Sequence, residues 1–349
     1  MSLAEATRDR GRERHVLIPE KVALPSSFAA LRILIVQGLG GETMGTTWSA
    51  KIAVPAETDL APLASGIEAV LARVIDEMSP WEPQSHITRF NTAPPGTWHH
   101  LPDGFFKVLS AGLRWAELTG GAYDPTIGAA VNLWGFGPEL KRDAPPEQRE
   151  IERSQARGGW HRVTLNAESR SAFQSGGLLL DLSSIAKGFA VDEVARFLRG
   201  RRIANMLVEI GGELRGEGLK PDGAPWWVEL ERPRPAHPGN DTPDALLALS
   251  GLSVATSGDE RRYFDSDGRR YAHTLDPRTG MPLTHDLVSV TVAAEDCMTA
   301  DAFATALLVL GPHEGPAFAE AHRIAARFVR FDGDRVSEQL SPALAVMLG

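Results

Sequence analysis

Tyr271-Ala272-His273-Thr274-Leu275-Asp276-Pro277-Arg278-Thr279-Gly280 opens the stretch around which the chain is organised. Asp-Pro-x-x-Gly presets a bend and lets its last residue take a positive φ, so His273 stands just before a tight turn. An apolar, β-branched run over residues 287–294 then reads as a strand. It is followed by Asp296-Cys297-Met298-Thr299-Ala300-Asp301-Ala302-Phe303-Ala304-Thr305-Ala306-Leu307, which reads as a helix starting near Thr299. On a helix Asp301 and Thr305 are four apart and share a face, beside an apolar wall of Phe303, Leu307 and Leu308. A carboxylate and a hydroxyl are hard oxygen donors that suit Mg²⁺ held against a phosphate. The same pair can also simply cap or solvate a first turn, and these two residues alone leave both readings open.

The same mixture of elements recurs upstream. Residues 43–54 read as a strand entered through Gly45, because Thr, Trp, Ile and Val suit a pleated surface. Leu63, Ile67, Val70, Leu71, Val74 and Met78 recur at helical steps and predict a helix over 59–78, ended by Ser79-Pro80. Trp81 tops the polar loop that follows. It offers a stacking face for a planar ligand, or a cover for the edge of the core. A second amphipathic helix is predicted over 104–119, stopping at Gly120-Gly121. Residues 160–165 and 178–182 read as strands, the second a continuous apolar run of the kind that lies centrally in a sheet.

That run leads into Asp181-Leu182-Ser183-Ser184-Ile185-Ala186-Lys187-Gly188. Ser183 or Ser184 is a natural N-cap, and Ile185, Phe189, Val194 and Leu198 continue a helical face. A helix N-terminus with an early lysine can hold a phosphate, although an early lysine is also commonly just solvated. The spacing is not that of a P-loop. Met206 to Gly218 reads as a strand broken by Gly211-Gly212, a sign of a bulge or close backbone approach. Residues 232–244 are proline-rich and read as a loop, 245–256 as strand, and 263–268 as a hairpin-like turn. The tail from residue 316 reads as a helix and a strand pair closing the sheet. Hairpin-like strands with scattered helices favour an α+β class, with one large domain built on a mixed or antiparallel sheet.

The chain has 349 residues, 43% hydrophobic and 23% charged, which is the profile of a globular protein. Its formal net charge of -9 argues against a nucleic-acid partner. One cysteine, Cys297, excludes an internal disulfide and a cysteine-based zinc site. Residues 1–40 are expected to form a disordered extension with a short apolar segment, and residues 41–349 the domain itself. The apolar run over 28–36 is interrupted by Arg32 and falls short of the roughly 20 residues of a membrane span, so no integral membrane segment is predicted. A cytoplasmic protein is the expectation. Export is the alternative if the start site is misassigned.

Several motifs occur together and in order. They are Met44-Gly45-Thr46-Thr47-Trp48, Met78-Ser79-Pro80-Trp81-Glu82-Pro83 with Ser85 and Arg89-Phe90-Asn91, Asp124-Pro125-Thr126, and Asn132-Leu133-Trp134-Gly135-Phe136-Gly137-Pro138. Asp181 to Gly188, Glu209-Ile210-Gly211-Gly212-Glu213, Ala255-Thr256-Ser257-Gly258-Asp259, His273 to Gly280, and Ala300-Asp301 through Thr305 complete the set. In this register the chain resembles the ApbE family of FAD:protein FMN transferases over roughly residues 43 to 312.

The resemblance implies an ApbE-like, T-fold-related domain. It also implies an enzyme that takes FAD and Mg²⁺, moves the FMN half onto a Ser or Thr hydroxyl of an acceptor flavoprotein, and releases AMP. On the family pattern Met44, Trp81, Ala122, Tyr123, Asp124, Asp181 and Lys187 line the FAD site, and Leu275 touches it. Trp81 stands where the family usually has tyrosine, keeping a stacking face and losing the phenol. Asp301, the Thr305 hydroxyl and main-chain oxygens of Ser184 and Ala304 would hold Mg²⁺. Ser184 stands where the family often has Gly or Ala, a change that a main-chain ligand tolerates. His273 is the implied base. The implied acceptor carries an Asp-x-x-Ser/Thr-type motif, with membrane redox-complex subunits and flavin reductases as candidates. Two other readings use the same residues: a Mg²⁺-dependent FAD pyrophosphatase giving FMN and AMP, and an FAD-binding protein without turnover.

Overall fold

Alternating side chains on the central strands bury both faces of one sheet. In the computed structural model, which describes residues 14–19, 28–139, 141–230, 244–258, 263–332 and 335–349, the chain begins with β1 (Arg14–Leu17), α1 (Phe28–Arg32), β2 (Ile35–Thr43) and β3 (Thr46–Val54). Next come α2 (Ala61–Met78), α3 (His86–Asn91), β4 (Thr97–His100), α4 (Asp103–Leu118), α5 (Gly128–Leu133), α6 (Gln148–Gln155), β5 (Thr164–Asn166) and β6 (Ser171–Gln174). The middle holds α7 (Ala186–Gly200), β7 (Met206–Ile210), β8 (Glu213–Glu217), β9 (Trp226–Glu229), β10 (Asp244–Leu249) and β11 (Leu252–Gly258). Two small hairpins follow, β12 (Tyr263–Ser266) with β13 (Arg269–Ala272) and β14 (Leu275–Asp276) with β15 (Met281–Pro282). The chain ends with β16 (Leu287–Ala294), α8 (Cys297–Ala321), β17 (Ala325–Asp332), β18 (Arg335–Leu340) and α9 (Pro342–Ala345).

The main sheet has the order β18-β17-β16-β11-β8-β7-β3-β2, with every neighbouring pair antiparallel. Met206, Val208, Ala255, Val292 and Ala326 point to the face covered by helices, where α2, α7 and α8 supply Ile67, Val74, Val191, Val194, Phe303 and Leu307. Their strand neighbours Leu207, Val254, Ala293 and Ala325 point the other way, onto the small sheet β1-β10-β9. A period of two along each strand produces this division. The expected α+β class, with a large antiparallel sheet and packed helices, is what the chain adopts.

Most predicted elements hold, and the exceptions have local causes. Arg14–Leu17 is a strand parallel to β10, and Ile35–Thr43 pairs along its whole length with β3, so ordered structure begins before residue 41. Leu17 is buried against the second core, which outweighs the charged composition around it. The rest of the expected N-terminal extension, residues 1–13 and 20–27, and the proline-rich loop apart from Asp244 lie outside the described residues. Residues 178–182 are not a central strand. Their backbone is satisfied largely by side-chain amides: Asn91 pairs both ways with Leu180 (2.7 and 2.9 Å), and Gln174 does the same with Leu178 (3.2 and 3.1 Å). The apolar side chains bury as predicted, but among the described residues the run has a single isolated bridge, Leu179 to Ile127, and no ladder.

Residues 160–165 divide into a 3₁₀ turn (Trp160–Arg162) and β5, and 245–256 divides at Gly251, whose φ is 87°. Gly211-Gly212 is the two-residue turn of the β7–β8 hairpin, not a bulge, and both residues have positive φ (62° and 104°), as a type I′ turn requires. The predicted bend at 276–280 forms, with Gly280 at φ 67°.

Candidate active site

Three parts of the fold converge on a cavity of about 320 Å³. The start of α7 and the segment before it supply Asp181, Ser183, Ser184 and Lys187. The first leg of α8 supplies Asp301 and Thr305, ahead of a break at Gly311 (φ 81°) beside Pro312. The sheet end and the turn after β13 supply Glu213, Ser257, Ser289, His273 and Leu275. Trp81, 45% exposed, is on its lining.

His273 is held by the aromatic packing around it. Tyr271 stacks on Phe264 (5.1 Å between ring centres) and Trp134 (5.6 Å), and Phe136 presents its edge to the His273 ring at 6.3 Å. Trp134 is fully buried and donates its indole N–H to Gly280 O at 2.8 Å, which ties the turn to α5.

At the charged end of the cavity Lys187 is paired with an acid. Lys187 forms an ion pair with Glu213, a buried carboxylate on the first residue of β8. Glu213 Oε2 has no hydrogen-bond partner although it is buried. Asp301, also buried, accepts the Gly188 N–H on Oδ2 at 2.9 Å. Burial pushes the Glu213 carboxyl up to about 7 against the pull of Lys187, and it pushes Asp301 up as well. Two buried carboxylates therefore share one ammonium. Thr305 Oγ1 lies 2.9 Å from Ser257 Oγ.

Ser183 and Ser184 do not cap α7. Its N-cap is Ile185, without a side-chain bond. The Gly188 N–H turns to Asp301 and not back four residues, which places the Ser184 carbonyl outside the helical ladder.

The remaining predicted residues spread further. Asp181 and Leu275 line the cavity. Ala304 is buried in α8 and does not line it, so any ligand role would rest on its main-chain oxygen alone. Met44 sits at φ 48° in the β2–β3 turn, packed on the main core and outside the lining. Ala122 and Tyr123 are buried behind the wall, and burial raises the Tyr123 phenol well above its ordinary value. Asp124 belongs to a second cavity of about 460 Å³, lined also by Trp160, His161 and Arg278, with Ile127 on the wall common to both. Its Oδ1 accepts from Thr126 N (2.8 Å) and Oγ1 (2.7 Å), and its Oδ2 from Trp160 N (3.0 Å).

Glu213 and Ser257 are the main residues that site-by-site reading of the sequence missed. A signal for Glu213 was present: a carboxylate directly after a glycine-pair turn, entering an otherwise buried hairpin. The ring nitrogens of His285 are buried against the α8 break.

A model of the ApbE family matches residues 44–328. The chain belongs to the ApbE family. Over 311 residues it is 39% identical to the FAD:protein FMN transferase of Vibrio cholerae, an alignment covering 89% of this chain and 92% of that one. The FAD:protein FMN transferase of Haemophilus influenzae is 38% identical over 330 residues, 92% and 94% of the two chains. Among solved structures, the apo form of the Pseudomonas stutzeri flavinyl transferase ApbE superposes with a TM-score of 0.83 at 36% identity, covering 90% of this chain and 98% of that one.

Proposed function

We propose that this member of the ApbE family transfers the FMN half of FAD to a Ser or Thr hydroxyl of an acceptor protein and releases AMP. The observation that carries the reading is the meeting of His273, Lys187, Glu213, Asp301 and Thr305 on one cavity wall. The relatives bearing the FAD:protein FMN transferase name span most of the chain, which supports the reaction class.

The buried residues suit Mg²⁺. Asp301, the Thr305 hydroxyl and the Ser184 carbonyl are hard oxygen donors. The excess of carboxylate over ammonium, with Glu213 Oε2 left unbonded, is a charge pattern that a divalent cation completes. When bound, Mg²⁺ supplies positive charge that offsets the pyrophosphate.

FAD enters the first cavity beside Trp81 and extends past Ile127 toward Asp124. His273 accepts the proton of the attacking hydroxyl. The hydroxyl oxygen bonds to the FMN phosphorus, and the bond to the bridging oxygen breaks, so AMP departs with that oxygen and its charge. Lys187, steered by Glu213, adds positive charge near the phosphates. The cavity walls hold the reacting atoms in line, which is the larger part of catalysis in this type of transfer.

The test is incubation with FAD, Mg²⁺ and an acceptor domain carrying an Asp-x-x-Ser/Thr motif, read by mass spectrometry and AMP release. A mass gain of one FMN on the acceptor, with one AMP per FMN, is the expected result. Free FMN and AMP without acceptor modification would make the protein a pyrophosphatase. No AMP under any condition would sink both catalytic readings.

A further inference from the structure

Two carboxylates cross between α7 and α8. From α7, Asp192 reaches the start of α8: Oδ1 accepts the Cys297 N–H at 3.0 Å and Oδ2 the Met298 N–H at 2.9 Å. From α8, Asp301 reaches the start of α7 and accepts the Gly188 N–H. Gly188 and Asp192 are one turn apart on their helix, and Cys297 and Asp301 one turn apart on theirs. Each helix start carries N–H groups with no internal acceptor and a partial positive charge. Here each is closed by an acid from the other helix.

The arrangement is specific. Asp296 already caps α8 from within, accepting Thr299 N at 2.8 Å, and Asp192 takes the two N–H groups that Asp296 leaves. Arg215 locks the joint from the sheet side. Its Nη1 donates to Asp192 Oδ1 (3.0 Å), Glu295 O (2.7 Å) and Ser253 Oγ (3.2 Å). The helices touch where Gly188 has no side chain: a Cβ there would stand 2.3 Å from Cys297 O and 2.8 Å from Asp301 Cβ.

We propose that Asp192 is a positioning residue for the transfer site. It lines neither cavity. It fixes the axial register of α8 on α7, and so sets where Asp301 and Thr305 stand relative to Lys187 and Ser184. The inference rests on the metal reading of Asp301 and Thr305.

The test compares the wild type with Asp192→Asn and with Gly188→Ala, which pries the same joint open while keeping every charge. Mn²⁺ binding is followed by electron paramagnetic resonance without turnover, kcat and the KM for FAD by AMP release, and folding by Tm. Losses of about tenfold or more in Mn²⁺ affinity are expected in both variants, the scale seen when outer partners of metal ligands are removed. The kcat should fall alongside, with the KM for FAD within about twofold. If Asp192→Asn does not fold, the Gly188→Ala variant decides by the same criteria. Normal Mn²⁺ binding and kcat in a folded variant with a lowered Tm would reduce the joint to a structural one and overturn the inference alone. A wild type that binds no Mn²⁺ would overturn the metal reading and the inference with it.

Discussion

The two neighbouring cavities both carry carboxylates on their linings, yet these do opposite things. In the second cavity Asp124 is saturated, accepting three bonds from Thr126 and Trp160. In the first cavity Glu213 leaves an oxygen unbonded, and Asp301 spends Oδ2 on a helix terminus. A saturated acid holds loops together. An unsaturated buried acid costs free energy that a bound ligand can offset.

The largest effect should fall on the first cavity. Asp301→Ala is expected to lower kcat/KM on the order of 10⁴-fold, the several kcal/mol attributed to a metal's charge in such a transfer. It should also abolish the Mg²⁺ dependence of what remains. AMP release as a function of Mg²⁺ measures both, and full activity in this variant would erase the contrast between the cavities. His273→Ala comes next, with a loss of roughly 10²–10³ in kcat, the range for a positioned acid–base group. An unchanged pH profile in that variant would remove His273 from the proton path.

Trp81→Ala should act on binding more than on chemistry. Loss of one stacking face is worth about 0.5–1.5 kcal/mol, so the KM for FAD should rise up to about tenfold with kcat nearly kept.

The smallest effect tests the second cavity through stability. Asp124→Asn should cost about 1–3 kcal/mol by spoiling bonds to a partly buried acid. Burial, opposed by the bonds from Thr126 and Trp160, holds the Asp124 carboxyl above its ordinary value of 3.8. The folded chain therefore keeps this proton to higher pH than the unfolded chain. The stability it contributes is full below about pH 3.8 and is lost as pH rises through the folded value. The Tm advantage of the wild type over Asp124→Asn should thus narrow as pH is raised from 4 to 7. A gap that widens would mean the carboxyl is ionised more readily in the fold, and the saturated acid would then be the stronger charge site.

Much of the architecture was legible because it depends on local periodicity. The helix over 61–78 shows its buried face at three- and four-residue steps, and β16 shows its strand character in β-branched residues. The bend at Gly280 follows from Asp-Pro-x-x-Gly itself. Residues 178–182 misled for a physical reason: an apolar run reports burial, and burial does not require a neighbouring strand when Asn91 and Gln174 can satisfy the backbone. The start of ordered structure misled in the opposite sense. Leu17 gains its burial from residues far along the chain, and local composition carries no sign of that.

By itself the sequence determined the class of fold, the family, and the residue types a flavin-transfer site would need, because these rest on patterns within short windows and on the order of motifs. Only the tertiary structure decided which acids face each other. The antiparallel register of β8 brings Glu213 to Lys187 across 26 residues, and the packing of α8 on α7 brings Asp301 to Gly188 across 113. Bonds from Thr126 and Trp160 hold Asp124 on a different cavity. Pairing at such separations is set by how helices and strands fill a common core, and no window of sequence contains both partners.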